Sequence, residues 1–231
     1  MSSDRYLPEL ASSLERLCVL ARQPGDILAR PVPACPDWTL ADLLGHLGSI
    51  ERWAAGIVRS GKFVEQAAPP ATGAETWFLD GAGPFLAAMS ALDPEEPCWN
   101  FGPPPRKAGF WRRRQAHEHA VHLIDACQAS GVEDPYFADD FLLDGIDEVL
   151  TMLVPRQFRL GRMPEPEGAV TFHVPGARSW KLGQGGPEAS ITAPPDVMYL
   201  GLWGRANLAE TAFIDGDKAL AGRLLQGPLT P

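Results

Sequence analysis

The sequence predicts an α+β protein, a bundle of long helices followed by a small domain of strands and short helices. Three observations carry this reading. Up to about residue 154, apolar residues recur every three or four positions, the spacing of one buried helix face. From Ala169 onward the apolar runs become short and β-like. Glycine and proline, 23 of each in 231 residues, cluster at 24–36, 61–73, 93–109, 161–168, 175–187 and 194–195. That is above ordinary usage but below low-complexity levels, so the clusters act as punctuation between elements.

The elements follow in order. The first helix is expected over 4–22, with Leu7, Leu10, Leu14, Leu17 and Leu20 on one face. The second is expected over 39–59. Thr39 and Asp42 have the spacing of an N-terminal capping box, and Leu40, Leu43, Leu44, Leu47, Ile50, Trp53 and Ile57 form its apolar face. The third, 74–92, carries Trp77, Phe78, Phe85, Leu86 and Met89; the fourth, 110–130, carries Ala116, Ala120, Val121, Ile124 and Cys127 and stops at Gly131. Four helices of this length with long connections make a bundle. A fifth, 138–154, presents Phe141, Leu142, Ile146, Val149, Leu150 and Leu153. Strands are expected at 169–174, 179–182, 189–192 and 211–214, with helices at 195–204 and 217–225. The domains are read as 1–158 for the bundle and 159–231 for the α+β segment, which is small for an independent core. The loops 61–73 and 93–109 are long enough to cover a bundle mouth.

Composition excludes several classes. Acidic residues outnumber basic ones 29 to 20. The excess lies before residue 156, with 22 acids against 12 bases, and 7 against 8 follow. Neither part is a basic module, so nucleic acid is not an expected partner. The four cysteines, Cys18, Cys35, Cys98 and Cys127, form no CxxC pair and read as thiols of a reducing compartment. The N-terminus has no basic-then-apolar signal pattern, and no apolar run approaches the ~20 residues that span a bilayer. A cytoplasmic protein with no membrane partner is expected.

The histidines concentrate the chemistry. Three of five fall in Arg114–Asp125 (RQAHEHAVHLID). On a helix, Glu118 and His122 are four apart and Asp125 three further on, so they share a face. His117 and His119 project to either side of it and read as surface or rim residues. A Glu and a His at this spacing supply two ligands to one divalent cation; His46, in line with Leu43, Ile50 and Trp53 on the second helix, is the natural third. Two imidazoles and a carboxylate suit Zn²⁺, and also Fe²⁺, Ni²⁺ or Mn²⁺. The bland alternatives are a solvated helix face for Glu118 and His122 and a hydrogen-bonded core histidine for His46. Asp125 is placed to orient a ligand or to serve as acid or base near substrate. Arg114, four residues before Glu118, either pairs with it or receives an anionic ligand; the run Arg112–Arg114 otherwise reads as a solvated face. Arg205 either caps the helix before it or faces a cleft. His173, in a β-like run, reads as structural, as do Trp38, Trp53, Trp77, Trp99 and Trp111. Gly183–Gly186 reads as a turn, lacking the setting of a phosphate loop.

Three segments together resemble the mycothiol-dependent maleylpyruvate isomerase family: Val32–His46 (VPACPDWTLADLLGH), Arg114–Asp125, and Pro194–Arg205 (PPDVMYLGLWGR) followed by Ile214–Asp217. The resemblance spans nearly the whole chain. It implies a DinB-like four-helix bundle and a small α/β domain similar to sterol-carrier folds. It also implies a divalent metal, usually zinc, held at His46, Glu118 and His122, the trio that spacing proposes. Asp125 matches the family's aspartate after the second histidine, and Arg205 matches its C-terminal arginine. Leu123 stands where relatives often carry a basic residue.

The chemistry so implied has a metal lowering the pKa of a thiol, mycothiol. The thiolate adds to a cis double bond, rotation follows, and the thiol leaves, with Arg205 holding substrate carboxylate. Two other functions fit the same residues: a metal-dependent hydrolase of amide or thiol-conjugate bonds, and a non-catalytic small-ligand-binding protein.

Overall fold

In the computed structural model, which describes residues 5–231, four long helices occupy the first part of the chain: α1 (Tyr6–Leu20), α3 (Leu40–Ser60), α4 (Ala74–Ala91) and α5 (Gly109–Ser130). The expected start of the first helix at residue 4 lies outside the described residues. A short α2 (Gly25–Leu28) and a hairpin of β1 (Pro31–Val32) and β2 (Cys35–Thr39) join α1 to α3. The glycine and proline cluster at 24–36 predicts only a break between helices here, because strands of two and five residues carry no periodic signal. α1 packs chiefly on α5, and α3 on α4.

Each boundary has a local cause. Thr39 ends β2 and caps α3. Its Oγ1 accepts from the Asp42 N–H at 3.2 Å, and Asp42 Oδ2 accepts from the Thr39 N–H at 2.9 Å. Gly61 and Gly131, both at positive φ, stop α3 and α5, as glycine does at a helix C-terminus. α3 lies close to its neighbours because Gly45, Gly48 and Gly56 omit side chains. A Cβ on Gly48 would sit 3.1 Å from Phe78 Cα, and one on Gly45 3.1 Å from Pro69. Both long loops are fastened. The 61–73 loop runs along α3, where Val64 O accepts from Trp53 Nε1 at 2.9 Å and Gln66 Nε2 donates to Ser49 Oγ at 3.0 Å. The loop preceding α5 anchors through Trp99, whose carbonyl accepts from Trp111 Nε1 at 2.9 Å.

The chain divides into two units, one ending at Tyr136 and the other comprising Phe137–Pro231. The sequence placed the division at 158/159, because apolar helical spacing continues through the fifth helix. Contacts instead group α6 (Asp139–Glu148), a π-helical turn (Val149–Leu153) and α7 (Val154–Arg159) with the sheet that follows. That sheet has the order β4-β3-β5-β6, from β3 (Ala169–Val174), β4 (Arg178–Gly183), β5 (Glu188–Thr192) and β6 (Phe213–Gly216). β3 pairs antiparallel with β4 and parallel with β5, and β6 runs antiparallel to β5. Alternation buries Val170, Phe172, Val174, Trp180, Leu182, Ala189 and Ile191 on one face. The loop from β4 to β5 passes the start of β3 with backbones almost touching. A Cβ on Gly183 would lie 2.1 Å from Gly168 O, so only glycine fits there. α8 (Pro195–Leu202), α9 (Leu208–Thr211) and α10 (Lys218–Leu225) complete the unit, and α8 packs on α6. Four helices and then a small sheet domain are the predicted class.

None of the four cysteines is in a disulfide. Among the described residues no helix is long and apolar enough to cross a membrane.

The α3 cap yields a stability test. Thr39→Ala or Asp42→Ala is expected to cost about 1 kcal/mol, read from urea unfolding. Hydrogen bonds from Thr39 hold the Asp42 carboxyl below its ordinary value of 3.8. The contribution is therefore complete above that value and is lost as pH falls through the lower folded one. Wild type and Asp42→Ala should converge in stability on acidification below it.

Candidate metal centre

α3 and α5 bring His46, Glu118 and His122 to one point. One donor atom from each lies within 4.8 Å of the other two. Glu118 Oε1 is 3.2 Å from His46 Nε2 and 3.5 Å from His122 Nε2. Glu118 and His122 come one above the other on α5 because they are one turn apart. His46 reaches them because the hairpin ties the start of α3 to the end of α5. The Leu40 N–H donates to Arg30 O at 2.9 Å, and Arg30 Nη1 donates to Ser130 O at 2.9 Å. Side-chain exposures of 27% for His46, 18% for Glu118 and 11% for His122 leave the cluster reachable from solvent.

The spacing suits a cation. Ligands at ~2.0–2.1 Å around a tetrahedral ion stand about 3.3 Å from one another. The two Oε1–Nε2 separations bracket that value, and the shorter is also within hydrogen-bond reach. On the other side of the His122 ring, Nδ1 donates to Asp125 Oδ2 at 2.9 Å. This bond orients the ring and leaves Nε2 facing the cluster.

The carboxylates favour positive charge at His122, and a cation bound there would displace its Nε2 proton. Burial alone would lower the His122 pKa. The hydrogen bonds to Asp125 and Glu118, with the charges of both carboxylates, overcome it and raise the value to about 9. Burial likewise opposes ionisation of Glu118, but bonds from His122 and His46 and the charges of His122 and Arg114 hold it well below the usual carboxylate range. The pocket thus stabilises positive charge between Glu118 and the imidazoles. Trp38, just before the α3 cap, leans over both rings, its centroid 4.9 Å from that of His46 and 6.3 Å from that of His122. The structural role expected of Trp38 does not include this position beside the histidines. Trp38 stands eight residues before His46 across a strand-to-helix junction, where no periodicity links them.

Arg114 is buried, and its Nη2 donates to Glu118 Oε2 at 3.1 Å. Asp125, wholly buried, faces His122. Arg205 lies in the other unit, where its N–H donates to Leu200 O at 2.7 Å and Nη1 to Trp203 O at 2.6 Å, the arrangement of a helix C-terminal cap.

Two expectations are corrected. His117 and His119 are not surface or rim residues; both are fully buried. The cause is that α5 is enclosed on nearly all sides, with 15 of its 22 residues buried. His119 Nδ1 donates to Gln115 O at 2.9 Å, its ring stacks on Phe85, and Nε2 faces Glu51 Oε1 of α3 at 3.2 Å. Burial pushes the Glu51 carboxyl up, against the His119 hydrogen bond and the charges of His119 and Arg52. The run Arg112–Arg114 is not a solvated face either. Arg112 closes the end of α4, donating to the carbonyls of Met89, Ser90 and Leu92 at 2.8, 3.0 and 2.8 Å. His173 sits in β3, with Nδ1 2.7 Å from Ser179 Oγ.

The profile of the mycothiol maleylpyruvate isomerase N-terminal domain matches residues 9–127, and that of the MDMPI C-terminal domain matches 140–223. Two crystal structures of the mycothiol-dependent maleylpyruvate isomerase share the fold, one of them of a histidine-to-alanine mutant. Their TM-scores are 0.67 for the mutant and 0.65 for the other, at 9% identity over 93% of each chain. No curated protein matches the chain.

The buried Glu51–His119 pair is testable. His119→Ala strands a buried carboxyl and is expected to cost about 3 kcal/mol or more in urea unfolding. Replacing both residues by leucine is expected to recover most of that loss.

Proposed function

The chain belongs to the mycothiol maleylpyruvate isomerase family, and from that premise we propose that it is a metal-dependent enzyme using the thiol mycothiol to isomerise a small substrate or to transfer the thiol to it. The observation that carries the reading is the set of donor separations, 3.2 and 3.5 Å around one carboxylate oxygen, at the spacing of ligands on one ion. His46, Glu118 and His122 would hold the ion, zinc first among the candidates, and three protein ligands leave a position open. When bound there, a divalent cation supplies the Lewis acidity that lowers the pKa of a thiol at neutral pH.

The chain's own residues supply the rest. Asp125 holds His122 in the tautomer that presents Nε2 to the cluster. Trp38 packs beside both imidazoles. His46, the most exposed of the three, marks the side from which a thiol can approach. Arg205, which caps the helix before it, would hold a substrate carboxylate, as the family resemblance implies.

Metal analysis of protein prepared without chelators is expected to give about one divalent ion per chain. His46→Ala, Glu118→Ala and His122→Ala should each lose it, and Asp125→Asn should weaken binding roughly 10- to 100-fold. Protein that remains metal-free after addition of zinc or nickel overturns the reading. Incubation with mycothiol and a cis-unsaturated acid or another electrophile is expected to turn over substrate. Cleavage of thiol conjugates, with no reaction of the free thiol, would make the protein a hydrolase instead.

A further inference from the structure

The two oxygens of Glu118 have different partners. Oε1 faces His46 Nε2 and His122 Nε2, while Oε2 accepts from Arg114 Nη2 at 3.1 Å. Arg114, Glu118 and His122 occupy successive turns on one face of α5. The carboxylate is therefore stretched along the helix axis between a guanidinium one turn before it and an imidazole one turn after it. The Arg114 side chain is 5% exposed against 18% for Glu118, so the guanidinium lies behind the carboxylate, away from the accessible side of the cluster.

We propose that Arg114 is a positioning residue that restricts Glu118 to one metal-facing oxygen, an inference that rests on the metal reading above. A carboxylate can bind a cation through one oxygen or through both. With Oε2 committed to a buried guanidinium, two-oxygen binding would require breaking a charge-assisted bond inside the protein, which is costly. The ion then has fewer protein donors, and more of its coordination sphere is left for an incoming sulfur. The guanidinium also offsets the negative charge of Glu118, so a dication there keeps more of its attraction for an anionic thiolate. Arg114 does not touch the thiol or the substrate in this assignment. It acts through Glu118, as outer partners of metal ligands do.

The test compares wild type with Arg114→Gln and Arg114→Lys, using zinc affinity by chelator competition and the visible absorption of the cobalt(II) form. Arg114→Gln is expected to bind zinc roughly 10-fold more tightly, because a repelling cation is gone and a second oxygen is freed. Its cobalt bands are expected to lose intensity as Glu118 turns both oxygens to the ion and the coordination number rises. Arg114→Lys, which keeps a cation behind the carboxylate, should stay close to wild type in affinity and spectrum. A folded Arg114→Gln protein with wild-type affinity and spectrum overturns the proposal, even if it no longer binds an anionic substrate. Independently of whether the variants fold, a crystal structure of zinc-loaded wild type should show one Glu118 oxygen on the ion and the other on Arg114; two on the ion overturns it. Wild type that takes up neither zinc nor cobalt overturns both this inference and the metal reading. Wild type that binds while Arg114→Gln binds equally well removes this inference alone.

Discussion

The structure of the helical unit turns on a cost that α5 imposes. Among its residues, Arg114, Gln115, His117, His119, His122 and Asp125 are buried, and Glu118 is largely so. Taking such groups out of water is unfavourable unless each finds a partner. α5 supplies some partners from its own turns, Arg114 for Glu118 and Asp125 for His122. Tyr6 of α1 meets the His117 ring edge-on, and others come from α3, as His46 opposite Glu118 and Glu51 opposite His119. These two polar rungs lie about 7.5 Å apart along α3, five residues at the helical rise. They fix the register of α3 against α5 more narrowly than apolar packing does, because a shift of one turn would strand several charges at once.

The rest of the unit holds that register. The apolar contacts are strongest within the pairs α1 with α5 and α3 with α4, so the α3–α5 seam has relatively little packing of its own. It is clamped at its two ends instead. At one end the β1–β2 hairpin joins the α3 cap to the last carbonyls of α5 through Arg30. At the other, Trp53 meets Trp111 edge-on at 5.1 Å, and Trp99, Phe101 and Phe110 close around the same indole. Buried aromatic area of this kind contributes more per residue than most core contacts, and it offsets part of the cost of the charges between the clamps.

Much of this was legible in the sequence, and the reasons are local. Caps, glycine stops and apolar spacing placed the four long helices, since these depend on neighbours along the chain. The shared face of Glu118, His122 and Asp125 follows from helix geometry alone. What spacing could not show was how deeply α5 is enclosed. A helix rich in polar residues looks solvated unless the partners on other helices are known, and so His117, His119 and the arginine run were misplaced. Trp38 and the hairpin escaped for a related reason, as their roles depend on contacts between segments that share no period. The domain division fell 22 residues late because a helix with a good apolar face fits a bundle or a sheet equally well.

This distribution of partners makes the three donors unequal. Glu118 and His122 share one helix, and their orienting groups Arg114 and Asp125 lie on the same helix within four residues. Their mutual geometry is set by backbone hydrogen bonds and survives small tertiary movements. His46 has no such local anchor; its place follows from the α3 cap, the hairpin, the Trp38 ring and the close packing that Gly45 permits against Pro69. Any displacement of α3 therefore enters the cluster through one imidazole while the other two donors keep their spacing. His46 is also the most exposed of the three, so the donor that depends most on tertiary structure borders the open side of the site.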